Sequence, residues 1–241
     1  MNGVSAIFWR EFMGYFRTPV AYVFMAAFIL SAVGLPWFIG RFFDANQASL
    51  EIFFTFLPWV FMFKIPAVGM RLWSEEIRSG TWEILFTSPI SPSEAVIGKF
   101  LAAWAFVGIN LALTLTVPAT VFYLGSPDLG PMFSGYLGAA FTAAAFLSIC
   151  SLASSLTRNQ VIAFVLSVII CLVLVLLGFG PFNSLLENLQ VPAEIVGLIS
   201  SLSVTYHFDL MASGLITAGS ICFFAAVTFL CLSINILVLE R

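Results

Sequence analysis

The sequence predicts an all-α integral membrane protein with six transmembrane helices. It also predicts an interfacial helix before the first span, a polar cytoplasmic helix after the second, and outer re-entrant helices before the last. Three observations lead there. Of 241 residues, 61% are hydrophobic and only 9% are charged, whereas a soluble domain carries about 25% charged residues. The mean hydropathy is +1.08. The apolar runs are continuous and about twenty residues long, which suits helices, because barrel strands run to about ten residues and alternate. A backbone surrounded by lipid must satisfy its own hydrogen bonds, and a helix does so within one segment.

The six spans are read at 20–40, 52–71, 95–124, 132–156, 161–178 and 215–239. At ~1.5 Å per residue each can cross a ~30 Å hydrocarbon core. The residues before the first span include Trp9, Arg10, Glu11 and Arg17. They lack the order of a cleavable leader, so that span is expected to be retained. No internal repeat or low-complexity tract divides the chain, and 1–241 reads as one membrane domain.

Lysine and arginine placement sets the orientation. With a cytoplasmic N-terminus, Arg10, Arg17, Arg71, Arg78, Lys99, Arg158 and Arg241 fall inside, and only Arg41 falls outside. The positive-inside rule then puts both termini in the cytoplasm of a cell with a bacterial-type inner membrane. The net charge of −3 excludes a strongly basic nucleic-acid binder. Cys150, Cys171, Cys222 and Cys231 sit inside apolar runs without CxxC spacing and read as packing residues.

Three connecting segments carry the functional reading. Residues 4–16 place Ile7, Phe8, Phe12 and Tyr15 at helical spacing, with Arg10 and Glu11 on another side, the pattern of a helix lying in the membrane interface. Thr18-Pro19 breaks it from the first span. Residues 74–87 form the longest polar stretch. Ser74 is placed to cap a helix whose first turn holds Glu75 and Glu76. Ile77, Thr81, Ile84 and Leu85 share one face, with Glu76 and Glu83 on another, and Gly80 marks a weak point or a close approach. Such a helix is either a solvated connector or a docking element for a cytoplasmic partner. Residues 179–213 lack lysine and arginine, are broken by Pro181, Pro192 and Gly197, and read as one or two short helices dipping into the outer leaflet.

Catalytic signatures are absent. Gly98-Lys99 is followed by Phe100 and preceded by Ser93 where a phosphate loop needs glycine, so no ATP site is expected on this chain. His207, the only histidine, reads as an outer-interface residue rather than the partner of a nucleophilic serine such as Ser213. No catalytic, cofactor or metal residue is assigned. Polar groups within spans are costly. Lys64 either snorkels toward the inner headgroups or faces a helix interface or water-filled path. Asn110 either bonds across helices or lines a path, and Thr114 with Thr116 and Pro118 makes the third span bendable.

Residues 66–85 read Pro66-Ala67-Val68-Gly69-Met70-Arg71-Leu72-Trp73-Ser74-Glu75-Glu76-Ile77-Arg78-Ser79-Gly80-Thr81-Trp82-Glu83-Ile84-Leu85, followed by Pro89 and Gly98-Lys99-Phe100. This stretch closely resembles the ABC-2 family of transporter permeases, in the branch named after the gliding-motility permease. The resemblance implies that 4–16 is a connecting helix and that 74–87 is the coupling helix docked on an ATPase subunit. Glu75, Glu76, Ile77, Arg78, Gly80, Thr81, Glu83, Ile84 and Leu85 would make that contact. ATP and magnesium would then sit on the ATPase. The partner would be a second permease, either another copy or a related chain with a large outer domain. The substrate path would lie at that interface, the direction would be export, and a largely apolar path points weakly to lipid-like cargo. Lys64 is outside the family pattern. A membrane scaffold or channel-like subunit without ATP coupling is the alternative.

Overall fold

The structure, a computed structural model, describes residues 3–40, 49–82 and 90–240, and every regular element among them is a helix. In chain order they are α1 (Gly3–Phe16), α2 (Pro19–Phe38), α3 (Glu51–Gly69) and α4 (Ser74–Ser79). Next come α5 (Pro92–Leu113), α6 (Thr116–Leu124), α7 (Leu129–Ser155) and α8 (Gln160–Leu176). The last four are α9 (Gly180–Asn188), α10 (Ala193–Ser201), α11 (Val204–Ala212) and α12 (Ala218–Leu239).

Five stretches are long and apolar enough to cross a membrane: α2, Glu51–Ser79, Pro92–Leu124, α7 and α12. The pairs α8–α9, bent by 67°, and α10–α11, bent by 76°, raise the number to as many as seven. This is a multi-pass helical membrane architecture, with the six-span reading inside that range. Helix α8 alone has 17 residues, roughly 26 Å at ~1.5 Å per residue, just short of the ~30 Å core.

Local chemistry explains several boundaries. Thr18 is extended (φ −108°, ψ 133°) because Pro19 follows it, so α1 and α2 part there. Helix α5 opens with a capping box: the Glu94 amide donates to Ser91 Oγ (3.3 Å) and the Ser91 amide to Glu94 Oε2 (3.0 Å). The third span breaks between α5 and α6 at Thr114–Leu115. Pro118 has no amide hydrogen to return to the Thr114 carbonyl. That carbonyl accepts instead from the Val117 amide (2.9 Å) and from Tyr136 Oη of α7 (3.2 Å), and the Tyr136 and Thr114 hydroxyls lie 3.1 Å apart.

Helix α7 is the central column. Its most apolar window is 78% buried inside the fold, against 22% for α2 and 11% for α12, whose outer faces meet lipid. Close approach to α7 depends on small residues: a Cβ added at Gly69 of α3 would collide with Cys150, and one at Gly135 of α7 with Phe54. Cys150, Cys171 and Cys231 are buried free thiols, in keeping with packing roles, while Cys222 is exposed.

The far end holds three short helices, α9 to α11, where the sequence suggested one or two. Ser203 Oγ donates to the Leu174 carbonyl (3.0 Å) and Thr205 Oγ1 to the Val175 carbonyl (2.8 Å). These hydroxyls satisfy the last carbonyls of α8, as bent backbone at membrane depth requires. His207, expected at the outer interface, packs within the protein. It is buried, with Nε2 2.9 Å from the Ser201 carbonyl and Nδ1 3.1 Å from Ser220 Oγ. A carbonyl only accepts, so Nε2 carries the proton and the ring ties α10 to α12.

Candidate functional site

Charge concentrates where α1, α4 and the start of α5 meet. Lys99, on the second turn of α5, is 2% exposed. Its ammonium lies 2.8 Å from Glu76 Oε1 of α4 and 3.3 Å from Glu11 Oε1 of α1, and donates to the Leu72 carbonyl at 3.0 Å. It also stands over the Trp73 ring, 4.9 Å from its centre. Arg10 closes the outer edge, 2.6 Å from Glu11 Oε1 and 3.6 Å from Glu76 Oε1. Two cations face two carboxylates, so the cluster is neutral.

Burial alone would raise the Glu11 carboxyl. Lys99 and Arg10 outweigh it and hold the group below the ordinary carboxylate value. The buried ammonium hydrogen-bonds Glu76 and the Leu72 carbonyl and pairs with Glu11, the condition under which a desolvated charge is tolerated. Ring contacts assist it, because the face of an indole attracts a cation.

The neighbouring turn, Met70–Trp73, is fastened to α7. Ser154 Oγ accepts from the amides of Trp73 and Ser74, both at 3.0 Å, and donates to the Met70 carbonyl at 2.9 Å. Trp73 Nε1 donates to Ser151 Oγ (3.3 Å), which also receives Asn235 Nδ2 of α12 (2.7 Å). Helix α1 lies along α5 with Tyr15 stacked on Phe106, ring centres 4.7 Å apart. A Cβ at Gly98 would come within 2.9 Å of Ile7, so glycine permits that approach. Helices α1, α5, α7 and α12 are therefore joined around α4 and the turn before it.

The expected docking residues divide. Glu75, Arg78, Gly80 and Thr81 are exposed, whereas Glu76 and Ile77 are half-buried. Glu76 points inward to Lys99, and Ile77 packs against the core. Glu83, Ile84 and Leu85 lie outside the described residues. Two details correct the sequence reading. Ser74 does not cap α4; it is buried and its hydroxyl donates to the Met70 carbonyl. Gly80 is no weak point within a helix, since its left-handed backbone (φ 73°) terminates α4. The turn there removes Thr81 from the face carrying Ile77.

No protein-family model matches the chain, and no curated protein matches it in sequence. Its function therefore rests on the residues themselves. The sequence reading counted Lys99 among the inside basic residues and within Gly98-Lys99-Phe100, and missed its role as an ion-pair centre. The available signal was a charge inside an apolar span, which must find a partner.

Of the polar residues within spans, Thr114 is engaged with Tyr136 and the Leu111 carbonyl. Asn110 does not bond across helices: Nδ2 donates to Phe106 of its own helix (2.7 Å), and Oδ1 is buried without a partner. Lys64 is half-buried and faces a small recess that Asn110 also lines.

Proposed function

We propose that the chain is the membrane-spanning permease subunit of an ATP-driven ABC-type transporter, working as an exporter. Two permeases, identical or related, enclose the substrate path, and separate ATPase subunits bind ATP and magnesium. Both termini and α4 face the cytoplasm, in line with the basic residues on that side. The observation that carries the reading is the buried Lys99 clasp. It makes α4 a short, externally polar helix that cannot move without α1 and α5.

A push on the exposed Glu75, Arg78 and Thr81 reaches Glu76 through one turn of helix. From there it passes to Lys99 and α5, and to Glu11 and α1. Ser154 carries the same displacement into α7. A solvated connector would not need such fastening, whereas a lever that converts ATPase closure into rocking of the spans does. The resemblance of 66–100 to ABC-2 permeases supports the same assignment.

The test is purification of the chain from its native membrane with endogenous partners. The expected result is a co-purifying ATPase whose hydrolysis changes when the permease is present. A chain that purifies without any ATPase, yet intact, would favour a scaffold or channel-like subunit.

A further inference from the structure

We propose that the cleft among α1, α2, α3 and α5 binds the anionic phosphodiester headgroup of a membrane phospholipid, held by Lys64 and Arg71. The cleft consists of a cavity of about 200 Å³, lined by Arg71, and an inner recess of about 20 Å³, lined by Lys64 and Asn110. Phe24, Val68 and Phe106 line both, so the two adjoin. Lys64 lies in the last turns of α3, and Arg71 is exposed in the Met70–Trp73 turn that follows, seven residues on. Both side chains are long enough to reach a group between them.

Neither cation has an acidic or hydrogen-bonding partner among the described residues. Glu11, on the cavity wall, is already occupied by Arg10 and Lys99. Glu75, on the rim, is the one remaining carboxylate lining the cleft. Two positive charges against one negative leave the cleft at +1, complementary to a phosphodiester. A half-buried ammonium without a counter-ion is costly in a span and marks a binding position.

Size and surroundings choose the lipid. The cavity is smaller than the ~300–1,000 Å³ pockets that enclose whole drug-sized ligands, so it takes a headgroup while the acyl chains stay outside. The exposed apolar face of α2, with Val20, Val23 and Leu30, offers those chains a surface. The recess has room for one water. Such a water would bond Asn110 Oδ1, which is otherwise orphaned although the residue is only 5% exposed, and Lys64. The ammonium would keep its other hydrogens for the phosphate.

This inference does not rest on ATP coupling, because it is read on the isolated chain. The purified protein is titrated with phosphatidylglycerol and, separately, phosphatidylcholine, and retained lipid is counted by native mass spectrometry. Phosphatidylglycerol is expected to be retained preferentially. Lys64→Met and Arg71→Gln are each expected to lower that preference about fivefold. The double variant should reach parity, while Lys64→Arg and Arg78→Gln should preserve it. Equal retention of the two lipids by the unmodified chain, or a preference that survives the double variant, would overturn the proposal. Displacement of the lipid by inorganic phosphate at equal concentration would assign the cleft to a soluble anion instead. Should Lys64→Met not fold, Arg71→Gln decides alone, and an unchanged preference there overturns the proposal.

Discussion

The ammonium of Lys99 lies 2.8 Å from a carboxylate oxygen of Glu76, although 23 residues separate them. That contact binds the polar helix after the second span to the entrance of the third. Replacing Lys99 with methionine removes the buried cation and leaves the two half-buried carboxylates to Arg10. Breaking a fully buried pair costs about 3–5 kcal/mol. Glu11 and Glu76 keep some exposure, 23% each, so a loss nearer ~2 kcal/mol is expected. Thermal denaturation in detergent measures it. Arg78→Gln, on the exposed side of α4, is the control and should change stability by under ~0.5 kcal/mol.

The same cluster predicts a pH dependence. Glu11 is held below its ordinary value of 4.5 in the folded protein. A carboxyl depressed by folding contributes stability above its unfolded value, and that contribution is lost as pH falls through the folded value. Stability should therefore drop on acidification below about pH 4.5. Glu11→Gln should be less stable at neutral pH and should flatten the acid limb. A melting series from neutral to acid pH on both proteins checks the slope.

Ser154 offers an independent test of the attachment to α7. Its hydroxyl serves the amides of Trp73 and Ser74 and the Met70 carbonyl. Alanine leaves buried donors unsatisfied, at about 1–3 kcal/mol. If α4 is fastened at two places, Ser154→Ala and Glu76→Gln should couple. The double variant should then differ from the sum of the singles by more than ~0.5 kcal/mol. Strict additivity in melting experiments would mean that the two attachments act separately.

How much of this was legible depends on how local the cause was. The break at Thr18-Pro19, the bend near Thr114 and Pro118, and the apolar columns follow from backbone chemistry carried by neighbouring residues, and the structure has them. The three short helices of 179–213 were harder, since the carbonyls at the end of α8 are met by Ser203 and Thr205, 29 and 30 residues along the chain. Lys99 and Ser154 were passed over because their partners lie far along the chain. A single sequence shows that a buried charge needs a partner but not which one. Gly80 was misread for another reason: glycine in a polar helical stretch fits a weak interior and a left-handed terminus equally well, and only φ separates them.

The clasp also changes which residues can receive a partner. On sequence alone Glu76 and Glu83 looked equivalent, but Glu76 is spent on Lys99, and reversing its charge would disrupt the fold before it reported on docking. Glu75 and Arg78 are exposed and free of ion pairs among the described residues. Three residues apart on a helix, they present a carboxylate and a guanidinium side by side. A single exposed pair with a partner is worth only about 0–1 kcal/mol, so one reversal could pass unnoticed. Exchanging both, Glu75→Lys with Arg78→Glu, preserves net charge and helix propensity while inverting the pattern offered to an ATPase. Like charges then oppose at two points of contact, which costs association several-fold. The expected result is loss of ATPase capture and of permease-stimulated hydrolysis, with the melting temperature unchanged. A matching reversal at Glu187, on the far end of the molecule, should leave capture intact. Normal capture by the exchanged variant would show that α4 is not the docking helix.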